Sequence, residues 1–181
     1  MKHKLSIVFA ALAALFAWQW WAGQRREQSV VAVDQAAIQA YFSPRGGASR
    51  AIVDALDGAA ESIFVQAYSF TSEPIAAALA RAKRRGVDVQ VLLDKGQREH
   101  KQTKAPALRR AGIPVWIDDK HAIAHNKVMI VDRKIVVTGS FNFTTSAEDR
   151  NAENLLIIED PKLAARYLAN WESHKAHSEE Y

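Results

Sequence analysis

The hydrophobic pattern changes period along the chain, and each change marks an element. A run from Leu5 to Ala22 is apolar on every side, with Ser6 and Gln19 its only polar side chains. Ala48 to Ala60 places Ile52, Val53, Leu56, Ala59 and Ala60 in a helical stripe. Ser62 to Ser69, rich in β-branched and aromatic residues, predicts a strand. Thr71-Ser72-Glu73-Pro74 supplies a cap and an early proline for a helix to Arg85, and Gly86 ends it. Val87 to Leu93 predicts a second strand, followed by a basic loop from Lys95 to Lys104 and a short helix ending near Gly112. Short strands are expected at Pro114 to Ile117, Lys127 to Val131, Ile135 to Val137 and Asn154 to Ile158. Asp160-Pro161 opens a last helix that gathers Leu163, Ala164, Tyr167, Leu168 and Trp171 on one face. Strands alternating with helices predict a single α/β domain, and a hairpin at Asp132-Arg133 makes its sheet mixed.

The first run has a different destination. Lys2 and Lys4 precede it and Arg25 and Arg26 follow, the layout of a secretory signal. It also approaches the roughly 20 apolar residues of a membrane helix, with Trp18, Trp20 and Trp21 suited to the interface. A buried core helix fits less well, because hydrophobicity runs all round and cations flank both ends. Residues 1–29 are therefore expected to be an export signal or membrane anchor plus connector, and 30–181 the folded domain. Cleavage and retention both fit this segment, and the expected location is periplasmic, secreted or anchored at the inner membrane.

Composition changes this picture in two ways. The 24 basic residues exceed the 20 acidic ones only through the four cations flanking the apolar run, so net charge gives no argument for nucleic acid. The absence of cysteine excludes disulfides, thiolate nucleophiles and sulfur-based zinc sites.

Chemistry concentrates in His125 to Thr144. His125 and Lys127, two apart in a strand, share a face, whereas Asp132 has the opposite parity. A turn centred between Asp132 and Arg133 sets His125 opposite Ser140 and Lys127 opposite Thr138, with Asn142 joining if the chain stays extended. A connection of odd length would shift that register. Gly139 removes a side chain beside the set, leaving room for a ligand to reach the backbone.

An imidazole, an ammonium, a hydroxyl and a carboxamide on one face suit a phosphate ester. Lys127 supplies charge, Ser140 and Asn142 donate to non-bridging oxygens, and His125 attacks phosphorus as a neutral imidazole. One histidine cannot be both nucleophile and leaving-group acid in one step, and no second His-x-Lys occurs. A two-fold dimer that brings two copies of His125 to one phosphate answers this requirement.

His125-Asn126-Lys127 with Asp132 resembles the HxKxxxxD motif of the phospholipase D superfamily, and Gly139-Ser140-Phe141-Asn142 its GSxN motif. Gln66 to Thr71, Asp94-Lys95 with Gln97-Arg98, and Asn151 to Asn154 are similar to its small bacterial endonucleases, over roughly residues 40 to 175. The resemblance implies a mixed-sheet sandwich flanked by helices and a homodimer working without metal or cofactor. It also implies a phosphohistidine on one His125, with the partner's His125 protonating the leaving alcohol. Lys127, Ser140 and Asn142 would hold the phosphate, and Glu153 would orient the catalytic His. Asp132 belongs to the motif set, although its parity assigns it a structural role. Arg133 departs from the glycine that many members carry in this turn.

Weaker signals remain. Lys95, Arg98, Lys101 and Lys104, with His100, form either a solvated loop or a surface for the phosphate backbone. Arg81, Lys83, Arg84 and Arg85 close a helix, where cations are favoured by the dipole. His121 and His125, with Asp118 and Asp119 nearby, are expected to bind no metal: their spacing helps only on a helix, and Lys127 would repel a cation. The expected function is a metal-independent, sequence-non-specific endonuclease acting on DNA, with RNA left open. Two alternatives stand beside it, a phospholipase D or phosphatidyltransferase acting on membrane lipids, and a nucleic-acid-binding module without turnover.

Overall fold

The computed structural model describes residues 37–181; the apolar run, its flanking charges and the connector lie outside them. In chain order the elements are β1 (Ala37–Phe42), α1 (Ala48–Asp57), β2 (Ser62–Ala67), α2 (Glu73–Arg84), β3 (Asp88–Asp94), a 3₁₀ turn (Lys95–Gln97) and α3 (Ala105–Arg110). There follow β4 (Val115–Asp118), β5 (Lys127–Val131), β6 (Ile135–Gly139), α4 (Thr145–Asp149), β7 (Asn154–Glu159), α5 (Pro161–Lys175) and β8 (Glu179–Glu180). The strands make one mixed sheet in the order β1-β7-β6-β5-β2-β3-β4-β8, with β2, β3 and β4 parallel and the remaining neighbours antiparallel.

Strand alternation divides the core into two layers. Ile63, Val65 and Ala67 of β2 face a large cluster with Ile52 and Leu56 of α1, Ile75 and Leu79 of α2 and Leu108 of α3. Phe64 points the other way and packs with Ala164, Leu168 and Trp171 of α5. The second layer hangs on one helix. Asp160 caps it by accepting from the N–H groups of Lys162 and Leu163, and Pro161 sits in its first turn. Trp171, 2% exposed, also donates Nε1–H to the Val65 carbonyl at 2.9 Å. The helical face expected from sequence is thus the one that packs, except that Leu163 and Tyr167 are only half-buried.

The β5–β6 hairpin differs from expectation by one residue. Asp132 and Arg133 both take left-handed φ, 51° and 55°, and Lys134 N–H closes the turn on the Val131 carbonyl at 3.0 Å. That is the backbone of a primed hairpin turn. The ladder nevertheless resumes as Val131↔Ile135 and Val128↔Thr138, so Lys134 is left out of the pairing. Its carbonyl accepts instead from Asp160 N–H, at the end of β7, at 2.9 Å. The expected pairing of His125 with Ser140 and of Lys127 with Thr138 therefore does not form. β5 starts only at Lys127, and beyond it Tyr68 N–H bonds the Asn126 carbonyl at 2.9 Å.

All the strand ends that matter lie on one rim. β2, β3 and β4 finish there, β5 and β7 begin there, and β6 ends there with Gly139, paired to Leu155. Four elements were not expected from the sequence: β1, the 3₁₀ turn, α4 and the two-residue β8. No helix among the described residues is long and apolar enough to cross a membrane.

Candidate active site

Lys127 opens β5 opposite Ala67 and is 7% exposed. Its Nζ donates to the carbonyl of His125 at 2.8 Å and lies 5.1 Å from the centre of the Tyr68 ring. Burial pushes this ammonium below the usual lysine range, and the charge of Glu153 partly opposes the shift. Its hydrogen bond goes to a neutral carbonyl, so an incoming anion would relieve the desolvation cost.

His125 is exposed, with its ring 4.5 Å from that of Tyr68 at 60°. No described residue makes a hydrogen bond to its ring nitrogens, which leaves both edges open to a reacting phosphate or to groups outside the described chain.

Gly139 explains how β6 delivers the other polar groups. Its φ is +149°, and a Cβ there would stand 2.3 Å from the Asn154 carbonyl oxygen. The room expected for a ligand is thus filled by the Asn154 carbonyl, which accepts N–H bonds from Ser140 at 3.1 Å and Phe141 at 3.2 Å. This contact turns the chain outward at the rim. Ser140 Oγ donates to Glu153 Oε2 at 2.6 Å and accepts from Asn154 N–H at 3.0 Å. Asn142 Oδ1 is buried without a hydrogen-bond partner. Of the two expected phosphate donors, the Asn142 amide is uncommitted, while Ser140 must release Glu153 to donate.

Glu153 also differs from expectation within the chain. Its carboxylate is taken by Ser140 Oγ and by Asn151 Nδ2 at 3.1 Å, and not by the ring of His125. Its charge acts instead on Lys127.

Asp132 stands at the other end of β5, about 16 Å from Lys127 by strand rise. It accepts from the backbone N–H groups of Ala60 at 2.9 Å, Glu61 at 2.8 Å and Ser62 at 2.9 Å. Burial works against its ionisation, but those three donors prevail and hold its carboxyl below the usual range. Its inclusion with the reacting residues is corrected on that distance, and it fastens the start of β2 to the hairpin.

The basic loop is not one free surface. Lys95 Nζ donates to the His121 carbonyl at 3.0 Å, Arg98 pairs with Glu179 at 3.1 Å, and Lys104 pairs with Glu73 at 2.6 Å. Lys101 is exposed. His100 and Gln102 line a groove of about 330 Å³ with Tyr68, Ser69, Thr71 and Asn142. A second groove of about 440 Å³ shares Thr71 and Gln102 and adds Lys104 and Arg150. Sequence reading assigned no role to Tyr68, Gln102 or Arg150. For Tyr68 a signal exists, since it lies in the segment Gln66 to Thr71 that resembles small endonucleases.

The groove residues include no metal-ligand set. Among the described residues the cluster of that kind is Asp118, His121, His174 and His177, and His125 is outside it.

Comparison with known proteins shows what the whole domain is similar to. A family model described as cardiolipin synthase, PLD-like domain, matches residues 52–175. A phospholipase D of Rickettsia bellii is 45% identical over 151 residues, which cover 83% of this chain and 75% of the relative. The mitochondrial cardiolipin hydrolase of Mus musculus is 35% identical over 121 residues, 67% of this chain and 55% of its own. Among solved structures, Nuc from Salmonella typhimurium, a phospholipase D family member, superposes with a TM-score of 0.78 at 39% identity, covering 81% of this chain and 99% of that one. NucT from Helicobacter pylori shares the fold, with a TM-score of 0.75 at 23% identity, covering 81% of this chain and 100% of its own.

Proposed function

The chain belongs to the phospholipase D superfamily of phosphodiesterases, and we propose that its substrate is the backbone of nucleic acid. It acts as a metal-independent, sequence-non-specific endonuclease on DNA, and RNA is a second substrate for the same assay. The observation that carries this reading is the lining of the groove that reaches Tyr68, whose ring packs against His125. Ser69, Thr71, His100, Gln102 and Asn142 offer hydroxyl, imidazole and amide groups, and no aliphatic wall for an acyl chain. Lys104, paired with Glu73, and Arg150 continue it as a polar track that Asp149 also lines. Such a track follows a charged backbone without reading bases.

In the proposed reaction, a ring nitrogen of His125 attacks phosphorus and the P–O bond to the leaving alkoxide breaks. Lys127 and the Asn142 amide steady the charge on the non-bridging oxygens. A second imidazole gives its proton to the leaving oxygen, then takes one from the water that opens the phosphohistidine. The described chain places no second histidine against His125, so this imidazole is assigned to a partner copy in a homodimer. Tyr68 packs against His125 and fixes its ring plane.

The lipid reading rests on the names of relatives, a phospholipase D and a cardiolipin hydrolase, and on the apolar run at residues 5–22. The test uses the full chain in mild detergent with plasmid DNA, RNA and phosphatidyl vesicles, all in excess EDTA, beside His125→Ala. Nicking that persists in EDTA and falls by about 10³-fold or more in the variant is expected. Phosphatidyl hydrolysis with intact plasmid and RNA would replace the nuclease reading by the lipid one. Retention of plasmid without cleavage would replace it by a binding module.

A further inference from the structure

Three imidazoles converge on one buried carboxylate at the end of β4. Asp118 is 0% exposed. Its Oδ2 lies 2.9 Å from His121 Nδ1 and 2.8 Å from His174 Nδ1, and its Oδ1 lies 3.4 Å from His177 Nε2. The three rings stack about one another with centroids 4.7, 5.2 and 5.6 Å apart. His177 Nε2 is buried and makes no hydrogen bond, so one ring nitrogen is aimed into the cluster without a partner. No other acid shares the site, and Asp118 must serve three rings alone.

We propose that Asp118, His121, His174 and His177 bind a divalent first-row metal ion, Zn²⁺ foremost, as a structural clamp. One ligand atom from each residue lies within 4.8 Å of all the others. A tetrahedron with arms of about 2.0–2.1 Å has edges of about 3.3 Å, so closing on an ion takes shifts of an ångström or so. Three neutral nitrogens with one carboxylate oxygen suit zinc, and four protein ligands make a closed, structural centre. Without the ion, His177 Nε2 has no well-directed partner. Metal supplies the partner that this nitrogen lacks and engages the other three ligand atoms together.

The location gives the clamp a purpose. β4 is three strands from β5, on the order of 14 Å along the rim. The segment between them runs directly from the cluster to His125. Along it the His121 carbonyl accepts from Lys95 Nζ, and Ala124 N–H donates to Asp94 Oδ2 at 2.7 Å. His174 and His177 come from the last turn of α5 and the segment after it. The ion would thus tie the C-terminus to the start of the loop that presents His125. It acts through position, and takes no part in the phosphoryl chemistry.

The experiment measures zinc per chain by mass spectrometry on the full chain, purified in mild detergent without a polyhistidine tag. About one equivalent is expected in the wild type. Asp118→Asn and the double variant His174→Ala/His177→Ala should each retain less than about a tenth of that. Metal-stripped wild type should gain several degrees in melting temperature on adding Zn²⁺. With Co²⁺ it should show the intense visible bands of a tetrahedral site. Less than about a tenth of an equivalent in the wild type with no thermal shift on Zn²⁺ would overturn the proposal, as would undiminished zinc in folded variants. Should the variants fail to fold, the titration of stripped wild type decides alone. These readouts do not depend on cleavage, so the nuclease reading can fail while the clamp stands, and the reverse.

Discussion

The two ends of β5 carry the two halves of one motif, and they are built to opposite rules. At the Lys127 end, polar groups are left wanting. A buried ammonium bonds only a carbonyl, the Asn142 side-chain Oδ1 has no partner, and no described residue bonds the ring nitrogens of His125. At the Asp132 end a carboxylate is saturated by three backbone donors. Unsatisfied groups at a strand end cost stability and are tolerated where a substrate will satisfy them. Saturated groups hold the scaffold. Residues only five positions apart therefore separate into chemistry and architecture.

This contrast is most sharply tested at Lys127. Lys127→Met should lower turnover by about 10²–10³-fold. Its melting temperature should stay level or rise, because a costly buried charge is removed; a large loss of stability would break the contrast. Asp132→Ala should do the reverse. Losing three charge-assisted bonds is expected to cost about 2–3 kcal/mol, or roughly 4–12 °C in melting temperature for a domain of this size. Cleavage by the folded fraction at low temperature should survive.

A finer test uses pH. The folded carboxyl of Asp132 is held below its unfolded value near 3.9. Its stabilisation is therefore present above about pH 4 and is lost as pH falls through the lower, folded value. Asp132→Asn should flatten that acid limb, as followed by urea midpoints between roughly pH 2 and 5. An unchanged limb would assign acid sensitivity to other carboxylates. The smallest effect belongs to Arg133, which holds φ at 55°. Arg133→Gly should relieve the left-handed strain and stabilise by about 0.5 kcal/mol, after loss of its 5.9 Å approach to the Phe64 ring.

What the sequence made legible follows the same division. The long elements were plain because their apolar spacing matches their burial, as at Ile52 and Leu56 of α1 or Ala164, Leu168 and Trp171 of α5. β1 was not, because its six residues are almost wholly exposed and are held by backbone pairing with β7, which leaves no alternation to read. α4 spans five residues, too short for a stripe, and depends on Thr144 as its cap. The hairpin register slipped by one because Lys134 bonds across to Asp160, a contact that no local pattern encodes. His125, Lys127, Ser140 and Asn142 could be singled out together because they fall within one short stretch. The Asp118 cluster was not, since its halves lie 56 positions apart at His174. A paired D-x-x-H and H-x-x-H spacing was the signal available.

The gathering of strand ends on a single rim has a consequence for how such a protein can change. Both grooves, the nucleophile and the four-residue cluster hang from connections leaving that edge, while the opposite edge holds the Asp132 fastening. Insertions into the rim connections would leave the two packed layers untouched, so substrate preference can drift by loop exchange while the body stays constant. The opposite edge has no such freedom, because lengthening its turns would loosen the anchor that ties the end of β5 to the start of β2.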